Sequence, residues 1–587
     1  MQNSEIIHTF ATMKKTIIIS LALMCLTTMT MAKKEKTVTL KLVETSDVHG
    51  AFFPYNFTER KPMRGTMARV STYLKEQRKL YGKNLILMDN GDILQGQPTS
   101  YYTNYVKTDE PNIAAAVINY LQYDAQTFGN HDVETGHAVY DKWIKDLNCP
   151  TLGANIVDVK TGKPYVTPYT ILQRDGVKIA ILGMLTPAIP NWLHENLWKG
   201  LRFEEMIAST RKWVKVLKEE EKADLIIGLF HSGWEGGITT EQYDEDATRK
   251  IAEQFSDFDV VFFGHDHTER NVTLDNGVLC MDPSCNAVKV AEATIQCTRK
   301  NGKWLVTKKE GQLIDVTKEA IDEDYVRHFQ PQTDGIKHYI ERQIGTFLTT
   351  ISSRDAFFGS AAFVDYIHQL QLEETHADIS LTAPLVFDTE IKAGPVYMSD
   401  MFKLYRFENQ IYALRMTGRE VRQLLELSYD QWVNTMKSPD DHIMLLAPKA
   451  PGDNQREGFK NYTFNFDSAS GIDYEVDVTK PDGQKVHIKQ FTDGRPFDEN
   501  KWYLVAMNSY RGNGGGELLT RGAGIPMDSI PSRITFMSER DQRHYLTRKI
   551  EREGKVGPKA LNNWRFVPET WAKPAIERDR KLLFKEK

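Results

Sequence analysis

The feature that most constrains the fold is a local pattern that occurs five times in the first half of the chain. Each time, an apolar or β-branched run ends directly in a corner rich in Gly, Asp, His and Asn. The five segments read VTLKLVETSDVHG, LILMDNGD, FGNHDVE, ADLIIGLFHSG and FDVVFFGHDH. Continuous apolar runs such as 225–230 and 260–263 are typical of strands buried on both faces. Helical stretches such as 206–222 separate the runs, so the pattern predicts a layered α/β fold with a largely parallel or mixed sheet and helices outside it.

The polar corners predict one common site. In open α/β sheets, ligands bind at the carboxyl ends of the strands, so loops far apart in sequence can converge there. A single DVH or NGD corner is more often a surface turn, and a lone histidine is more often structural than a ligand. Five strand ends that all supply oxygen or imidazole donors are difficult to explain by turn statistics. The candidate metal ligands are Asp47, His49, Asp92, Asn130, His231, His265 and His267.

This donor set favours two divalent metal ions. It contains no thiolate, which argues against a closed structural zinc site. Carboxylate, amide and imidazole donors suit Mn²⁺, Zn²⁺, Co²⁺ or Fe²⁺, and seven residues suit two ions that share a bridging carboxylate. Asp47 and Asp92 would cancel two of the four positive charges, and the remainder favours an anionic substrate. Two such ions can stabilise both the attacking and the leaving oxygen of a phosphoryl displacement.

His131 and Glu134 are the candidate catalytic residues. His131 follows a candidate ligand, so we expect its side chain to face the substrate and to protonate the leaving oxygen. Glu134 lies three residues later, near a predicted helix start, and is placed to hold the imidazolium. For Asp132 we predict a helix cap.

Composition excludes some classes of function. The chain has 587 residues, which predicts at least two domains, and a net charge of −5, which gives no support for binding a nucleic-acid polymer. Beyond the N-terminal segment only four cysteines remain, too few to staple a chain of this size. Cys280 could pair with Cys285 or Cys297, or all could be free thiols.

The N-terminus predicts export. From Met13, which could be the true start, two lysines precede an apolar run, and Thr30 and Ala32 are small residues at the −3 and −1 positions of a cleavage site. We expect residues 1–32 to be a signal peptide cleaved after Ala32. The mature chain is expected to be periplasmic, without a transmembrane segment and monomeric, and a lipid tether stays open.

In this order, DVHG, NGDILQGQP, GNHDVE, FHSG and GHDHT resemble the calcineurin-like metallophosphoesterases, and more narrowly the two-domain 5′-nucleotidase family. The resemblance covers nearly the whole mature chain. It implies a four-layer α/β/β/α domain over residues 33–320 and a second, smaller α/β nucleotide-binding domain over 348–587. Residues 321–347 read as a helical connector and hinge. It also implies one metal held by Asp47, His49, Asp92 and His267 and another by Asp92, Asn130, His231 and His265, with His131 and Glu134 as the catalytic dyad. Many 5′-nucleotidases have Asp at the position of Glu134.

The second half supplies candidate substrate-binding residues. LYRFENQIYALRMTGREVRQLLE and AMNSYRGNGGG resemble segments of the family's C-terminal domain that carry base-stacking aromatics, here Phe407 and Tyr510. Two aromatic faces can sandwich a base at about 1–3 kcal/mol per stacked base. Without the resemblance, Phe407 would be interpreted as a core residue. Glycines allow a backbone to approach a ligand closely. The full set of candidate substrate-binding residues is Phe407, Tyr510, Arg511, Asn513, Gly514 and Gly515.

One segment differs from the 5′-nucleotidase pattern, and this difference narrows the expected substrate class. Where 5′-nucleotidases usually have an arginine in a glycine-rich segment, this chain reads SLTAPLVFDTEIKAG, without arginine. Together with FNFDSASGIDYEVDVTKPDG, this resembles the periplasmic 2′,3′-cyclic-nucleotide 2′-phosphodiesterase/3′-nucleotidase branch. Hydrolysis of 5′-nucleotides or UDP-sugars stays open as an alternative. A nucleotide-binding protein without turnover would be expected to lack metal ligands, whereas all seven are present.

Overall fold

The computed structural model describes residues 35–448 and 456–585 of the chain. Its N-terminal domain contains two six-stranded sheets that pack face to face. In spatial order the first sheet consists of Lys303–Asp315, Lys289–Lys300, Thr37–Thr45, Leu85–Asp89, Ala125–Thr127 and Thr151–Leu152. The second consists of Glu269–Thr273, Leu279–Pro283, Val260–Phe263, Leu225–His231, Val177–Leu185 and Tyr169–Arg174. The predicted signal peptide, residues 1–32, lies outside the described residues.

Strand alternation explains why both faces of each sheet are buried. Leu42 and Ile86 belong to the core between the sheets, whereas their neighbours Val43 and Leu87 belong to the core on the outer face of the first sheet. Helices Met67–Tyr81, Ile113–Leu121 and His137–Asp146 cover that outer face, and Met206–Glu219 and Thr248–Gln254 cover the outer face of the second sheet. The predicted order of helices, sheet, sheet and helices is confirmed.

Parallel pairing brings the polar corners to one edge of the sandwich. In the first sheet, Thr37–Thr45, Leu85–Asp89 and Ala125–Thr127 run parallel. In the second, Leu225–His231 runs parallel to Val177–Leu185 and Val260–Phe263. All five candidate segments therefore end at the same side, three from one sheet and two from the other.

The C-terminal domain is a second α/β unit. Its central sheet has the order Ser468–Ser470, Ile379–Thr382, Trp502–Asn508, Gln410–Thr417 and Ile534–Asp541. A three-stranded sheet consists of Val486–Phe491, Ile472–Asp477 and Trp564–Val567. The main helices are Ala362–Thr375, Met398–Leu404, Gly418–Trp432, Gln542–Glu553 and Glu569–Phe584.

The connector differs from the prediction at its C-terminal end. Residues 323–340 form two helices, Glu323–His328 and Gln330–Ile340, and their apolar side chains join the core under the N-terminal helices. The prediction of helix through 347 is wrong, because Gln343–Phe347 is a strand paired with Gly394–Tyr397 and Lys555–Val556. Gly345 lies too close to Ile550 for any side chain, with 2.5 Å between an added Cβ and Ile550 Cγ2. The chain therefore passes from one domain to the other between Ile340 and Gln343.

Two further expectations concern thiols and membranes. Cys149, Cys280, Cys285 and Cys297 are all free, which contradicts the disulfide alternative for Cys280. Within the two described ranges, no helix combines the length and the apolar character needed to cross a membrane.

Candidate active site

The backbone at the strand ends is strained where the candidate ligands lie. Five of the predicted ligands have positive φ angles: Asp47 at 51°, His49 at 48°, Asp92 at 53°, His265 at 82° and His267 at 57°. Such conformations cost about 1–3 kcal/mol each for residues other than glycine and persist where the surrounding structure holds them in place. The backbone at these corners therefore adopts conformations of higher free energy than an ordinary turn would need. These conformations orient the side chains of the candidate ligands.

Three glycines in the motifs explain how the corners pack. A Cβ on Gly129 would lie 2.0 Å from Asp92 Oδ1, and one on Gly264 would lie 2.5 Å from Asp47 Oδ2. A Cβ on Gly91 would lie 2.3 Å from the Gly129 amide nitrogen. The glycine in NGD, FGN and FGH is therefore required because the corners, and two of the candidate ligand carboxylates, approach one another too closely for a side chain.

The first donor group consists of Asp47, His49, Asp92 and His267, with one ligand atom from each within 4.8 Å of the others. The Nε2 atoms of His49 and His267 are 3.1 Å apart, and His267 Nε2 is 3.3 Å from Asp47 Oδ1. That carboxylate oxygen is buried and accepts no well-formed hydrogen bond from the described residues. A buried, unsatisfied oxygen facing two imidazole nitrogens fits a divalent cation.

The second donor group consists of Asp92, His231 and His265, again within 4.8 Å. Asn130 Oδ1 lies 3.1 Å from His231 Nε2 and 2.8 Å from His265 Nδ1, and Asp92 Oδ2 lies 3.3 Å from His231 Nε2. The structure thus brings all seven predicted ligands together, and Asp92 belongs to both groups. A shared carboxylate is the arrangement that a two-metal centre requires.

Hydrogen bonds on the far side of three rings fix which nitrogen faces the site. The pairs are His49 Nδ1 with Gln95 O at 3.1 Å, His231 Nδ1 with Asn90 O at 2.6 Å, and His265 Nε2 with Glu245 Oε1 at 3.1 Å. When an N–H donates to such an acceptor, the other ring nitrogen presents its lone pair, as in metal-ligating histidines. Lone pairs that converge in this way repel one another unless a cation lies between them.

The electrostatics fit this geometry for His49 and Asp47. Burial lowers the pKa of His49 to about 3, which keeps its ring neutral. Burial alone would raise the pKa of Asp47, but the nearby rings of His267 and His231 hold that pKa at about 2. Neutral imidazole and ionised carboxylate are the forms that bind metals. Burial would lower the pKa of His231 and His265, but the charges of Asp92 and Glu245 raise it, to about 9 for His265.

Asp132 organises the loops that carry two ligands. Its carboxylate accepts from the Gly129 amide at 2.7 Å, at the start of helix Asn130–Glu134. It also accepts from the amides of Asp92, Ile93 and Leu94 at 2.8, 3.0 and 2.9 Å. Asp132 thus bonds the helix start from the third helical position and is not the predicted N-cap residue, since Gly129 and Gly136 occupy the N-cap positions of this helix and the next. The same side chain ties the NGD corner to the GNHD corner.

His131 lies beside both donor groups without belonging to either. Its amide donates to Asp92 Oδ1 at 2.8 Å, and its Nδ1 is 2.6 Å from Glu134 Oε2. Burial would lower the pKa of the His131 ring, but the charges of Asp92, Glu134 and Glu408 raise it to about 9. A protonated imidazole held by Glu134 can donate a proton from Nε2, which is the role predicted for this pair.

The C-terminal domain carries Phe407 and Tyr510 on two separate segments, before strand Gln410–Thr417 and in the short helix Ser509–Gly512. The Phe407 ring lies parallel to the His131 ring, with 6.4 Å between centroids and 11° between planes. Tyr510 packs edge-on against Phe464, and burial raises the pKa of its hydroxyl to about 12, with the Glu245 charge contributing. Phe407 is only partly buried, so it borders the site and is not simply a core residue.

Arg511 is not placed to bind substrate, which corrects the prediction. Its side chain is buried, and it donates from Nε to Asp467 Oδ2 at 2.9 Å and from Nη2 to Asp467 Oδ1 at 3.1 Å. Further donations go to the backbone carbonyls of Gly515 and Phe464. The guanidinium is therefore committed to holding the loop in place.

The neighbouring glycines and Asn513 also have structural roles. A Cβ on Gly515 would lie 2.5 Å from the Tyr510 ring, and one on Gly514 would lie 2.8 Å from Met527 Sδ. These glycines make room for protein side chains rather than for a ligand, in contrast to the prediction. Asn513 Nδ2 donates to the Trp192 carbonyl at 3.1 Å and so links the two domains.

Several residues of the site carry no motif and were missed in the sequence. Glu245 comes from the hairpin Gly236–Thr239/Asp244–Asp246, and only the fold brings it to His265. Glu408 and Arg406 flank Phe407, and the Arg406 guanidinium carbon lies 5.7 Å from the centre of the Phe407 ring. Arg406 therefore places a cation beside Phe407, although the SLTAPLVFDTEIKAG stretch contains no arginine.

Comparison with known proteins matches both domains. The model of the calcineurin-like phosphoesterases matches residues 40–269, and the model of the 5′-nucleotidase C-terminal domain matches residues 341–521. The chain carries a calcineurin-like phosphoesterase domain followed by a 5′-nucleotidase C-terminal domain. It is therefore a phosphoric ester hydrolase, and the donor groups described above lie in the phosphoesterase domain.

Individual relatives extend over most of the chain. The 2′,3′-cyclic-nucleotide 2′-phosphodiesterase/3′-nucleotidase of Haemophilus influenzae is 26% identical over 92% of this chain and 89% of its own length. The Salmonella typhimurium protein of the same name is 25% identical over 91% and 89%. A Staphylococcus aureus structure described as a 5′-nucleotidase has a TM-score of 0.75 at 20% identity and covers 90% of this chain and 99% of that chain. This last similarity establishes that the two-domain phosphoesterase fold is shared.

Proposed function

We propose that this chain is an exported hydrolase of nucleotide phosphoesters that uses two divalent metal ions. The observation that carries the proposal is the pair of donor groups sharing Asp92, with His131 beside them and Phe407 parallel to His131. The first group would hold one ion, and the second group with Asn130 would hold the other. Mn²⁺, Zn²⁺, Co²⁺ and Fe²⁺ all suit these donors. When bound, two such ions supply positive charge for the phosphoryl oxygens and activate a water as nucleophile.

The residues of this chain supply the leaving-group chemistry. His131 Nδ1 lies 2.6 Å from Glu134 Oε2, and this contact favours a protonated ring whose Nδ1 donates to Glu134. The proton on Nε2 can then pass to the leaving alkoxide as the P–O bond breaks. Glu134 keeps the ring in this orientation, and Asn409 Nδ2 donates to Glu134 Oε1 at 3.3 Å from the other domain.

The substrate that we propose is a 2′,3′-cyclic nucleotide and the nucleoside 3′-monophosphate formed from it. The relatives from Haemophilus and Salmonella that span most of the chain support this choice, as does the lack of arginine in SLTAPLVFDTEIKAG. Nucleoside and phosphate would be the final products. Hydrolysis of 5′-nucleotides or UDP-sugars is the alternative, favoured by the similarity of the C-terminal domain to that of 5′-nucleotidases.

A periplasmic location is part of the proposal. It rests on the sequence of residues 1–32, with lysines, an apolar run and small residues before the cleavage site. Comparing the N-terminus of the secreted protein with the position after Ala32 tests it. A protein that retains residues 1–32 and stays in the cytoplasm would contradict export.

A substrate panel on the mature chain tests the activity. We expect turnover of 2′,3′-cyclic AMP and 3′-AMP, loss of that turnover on complete removal of metal, and recovery when Mn²⁺ or Zn²⁺ is added back. Turnover that survives full metal removal would contradict the metal-dependent mechanism. Activity on 5′-AMP or UDP-glucose with none on 3′-AMP would favour the alternative substrates.

The aromatic pair is tested separately. The double variant Phe407→Ala, Tyr510→Ala should raise KM for nucleotides about 10-fold or more, since each stacked base contributes about 1–3 kcal/mol. KM for p-nitrophenyl phosphate, which lacks a nucleobase, should change much less. Trp502→Ala is the matched control, because Trp502 is half-exposed in the same domain. Equal effects on both substrates would show that Phe407 and Tyr510 are structural.

A further inference from the structure

A partly open cavity lies between the two domains next to Glu134 of the catalytic pair. Its volume is about 320 Å³, at the lower end of the range for small-ligand pockets. Its wall includes Glu134, Trp192 and His194 from the phosphoesterase domain and Glu408, Tyr412 and Asp541 from the C-terminal domain. Because Glu134 belongs both to this wall and to the pair with His131, the cavity lies beside the catalytic pair.

The cavity is rich in hydrogen-bond acceptors. Four carboxylates line it, those of Glu134, Glu408, Glu539 and Asp541, against the single guanidinium of Arg540. A phosphate would be repelled here, whereas a neutral group that carries hydrogen-bond donors would be accommodated. The acceptor-rich cavity and the cation-binding donor groups therefore suit opposite ends of one substrate.

Glu408 has one oxygen committed to the protein and one without a partner. Its side chain is 7% exposed, and Oε1 accepts from Arg543 Nη2 at 2.6 Å. Oε2 is buried and has no hydrogen-bond partner among the described residues. Leaving a buried charged oxygen unsatisfied is costly, so this atom is expected to have a ligand.

Arg543 fixes the position of Glu408. It is fully buried, and its guanidinium carbon lies 4.0 Å from the centre of the Phe402 ring and 4.7 Å from that of Tyr101. A guanidinium held between two rings and paired with Glu408 leaves that carboxylate little freedom. The Glu408 carboxylate is therefore held in a defined place beside the cavity and is not on a mobile side chain.

Three consecutive residues connect this oxygen to the reaction centre. Phe407 lies parallel to His131, Glu408 lines the cavity, and Asn409 Nδ2 donates to Glu134 Oε1. A substrate whose phosphate lies at the metal groups and whose leaving oxygen meets His131 would extend its remaining part past Phe407 toward Glu408.

We propose that the interdomain cavity binds the sugar of the leaving nucleoside, and that Glu408 Oε2 accepts a hydrogen bond from a free sugar hydroxyl. This inference rests on the proposed function, because it takes the substrate to be a nucleotide. The base is assigned to Phe407 and Tyr510, and the polar, acceptor-rich cavity takes the hydroxyl-bearing part. Glu408 is thus a specificity-determining residue.

Analogues that lack one hydroxyl test the proposal on the unmodified protein. The substrates are a nucleoside 3′-monophosphate, its 2′-deoxy and 5′-deoxy analogues, and p-nitrophenyl phosphate as an ester without sugar. We expect one of the two deoxy analogues to lose about 10–100-fold in kcat/KM, because a hydrogen bond to a charged group contributes about 1.5–3 kcal/mol. Equal kcat/KM for all three nucleotides would overturn the proposal.

Two variants, Glu408→Gln and a control, test whether Glu408 causes the difference in kcat/KM between the parent nucleotide and its deoxy analogue. Glu408→Gln should reduce the ratio of kcat/KM between the parent nucleotide and the discriminated deoxy analogue at least 5-fold, with the value for p-nitrophenyl phosphate changed less. Glu420→Gln is the matched control, since Glu420 also pairs with an arginine, Arg533, at 2.8 Å but does not line the cavity. A ratio unchanged by Glu408→Gln would overturn the assignment.

The ratio of kcat/KM between substrates tests the role of Glu408, whereas the hydrolysis of any nucleotide at all tests the proposed function. Loss of folding lowers kcat/KM for all substrates and leaves the ratio unaltered. If Glu408→Gln does not fold, inhibition of the wild-type protein by the nucleoside and by its deoxy forms gives the same comparison, and equal inhibition would overturn the proposal. Hydrolysis of p-nitrophenyl phosphate without hydrolysis of any nucleotide would contradict the proposed function itself.

Discussion

At the scale of single residues, Asp132 shows how one side chain supports a site without entering it. Four backbone amides, from Gly129, Asp92, Ile93 and Leu94, donate to its two oxygens. The amides lie in two different corners, so this carboxylate fixes the distance between Asp92 and Asn130. Both donor groups depend on that distance, because Asp92 belongs to each.

We predict that Asp132→Ala lowers metal affinity about 10–100-fold, as loss of an outer partner of a metal ligand typically does. Four amides lose their acceptor, so the free energy of unfolding should also fall by about 2 kcal/mol or more. Metal titration by calorimetry measures the first effect and chemical denaturation the second. Asp132→Asn, which keeps one acceptor oxygen, should be milder in both; wild-type affinity in Asp132→Ala would contradict this role.

Glu134 is the residue at which this chain departs from the resemblance, which implies Asp at this position in many 5′-nucleotidases. Its Oε2 lies 2.6 Å from His131 Nδ1, so the longer side chain reaches the ring directly. We predict that Glu134→Gln lowers kcat about 10–100-fold with little change in KM, since it weakens the hold on the protonated ring. Glu134→Asp keeps the charge and should recover part of kcat.

The measurement is kcat and KM for 3′-AMP, together with metal content. His131→Asn serves as the reference for complete loss of proton donation and should show a larger fall in kcat. A rise in KM with constant kcat in Glu134→Gln would mean that Glu134 contacts the substrate instead of positioning His131.

At the scale of elements, helix Ala362–Thr375 is tied to the central C-terminal sheet through one buried histidine. His368 Nδ1 lies 2.9 Å from Ser380 Oγ and Nε2 lies 3.2 Å from Ser468 Oγ. The two serines belong to neighbouring antiparallel strands. Burial lowers the pKa of His368 from 6.5 to about 3, so the ring is neutral in the folded protein.

This burial predicts a pH-dependent stability. In the unfolded chain His368 binds a proton below pH 6.5, whereas in the folded domain it does so only near pH 3. Its contribution is therefore complete above about pH 6.5 and is lost as the pH falls toward 3, at about 1.4 kcal/mol per pH unit. His368→Gln should be less stable than wild type at pH 7.5, and the difference should shrink at pH 5. Denaturant titrations at the two pH values measure it, and a constant difference would contradict the prediction.

Elements also show where sequence reasoning succeeds. The apolar runs predict the parallel strands, and each motif glycine and ligand follows a strand end, so the site could be assembled from local patterns. Glu245 and Glu408 could not be found in this way, because only tertiary contacts bring them to His265 and to the cavity. Arg511 was misassigned because a loop rich in glycine and arginine looks the same whether it holds a ligand or, as here, Asp467.

At the scale of the whole molecule, the site depends on how the two domains meet. Tyr101 OH donates to Asp541 Oδ2 at 2.9 Å, and Asn513 and Asn409 form further hydrogen bonds to the phosphoesterase domain. The helices Glu323–His328 and Gln330–Ile340 pack on the phosphoesterase core. Rotation of the C-terminal domain about the residues after Ile340 would therefore break these contacts, open the cavity and separate Phe407 from His131.

We predict that Tyr101→Phe weakens this docking. The hydroxyl donates to a buried carboxylate, a bond that contributes about 1.5–3 kcal/mol, and its loss leaves Asp541 short of a donor. The population of open molecules should rise, which increases the radius of gyration measured by small-angle scattering without substrate. KM for nucleotides should rise several-fold, because substrate binding must then close the domains.

Tyr366→Phe is the control, since the buried Tyr366 hydroxyl has no partner among the described residues. Scattering curves and KM values equal to those of the control would show that the Tyr101–Asp541 contact does not set the domain arrangement.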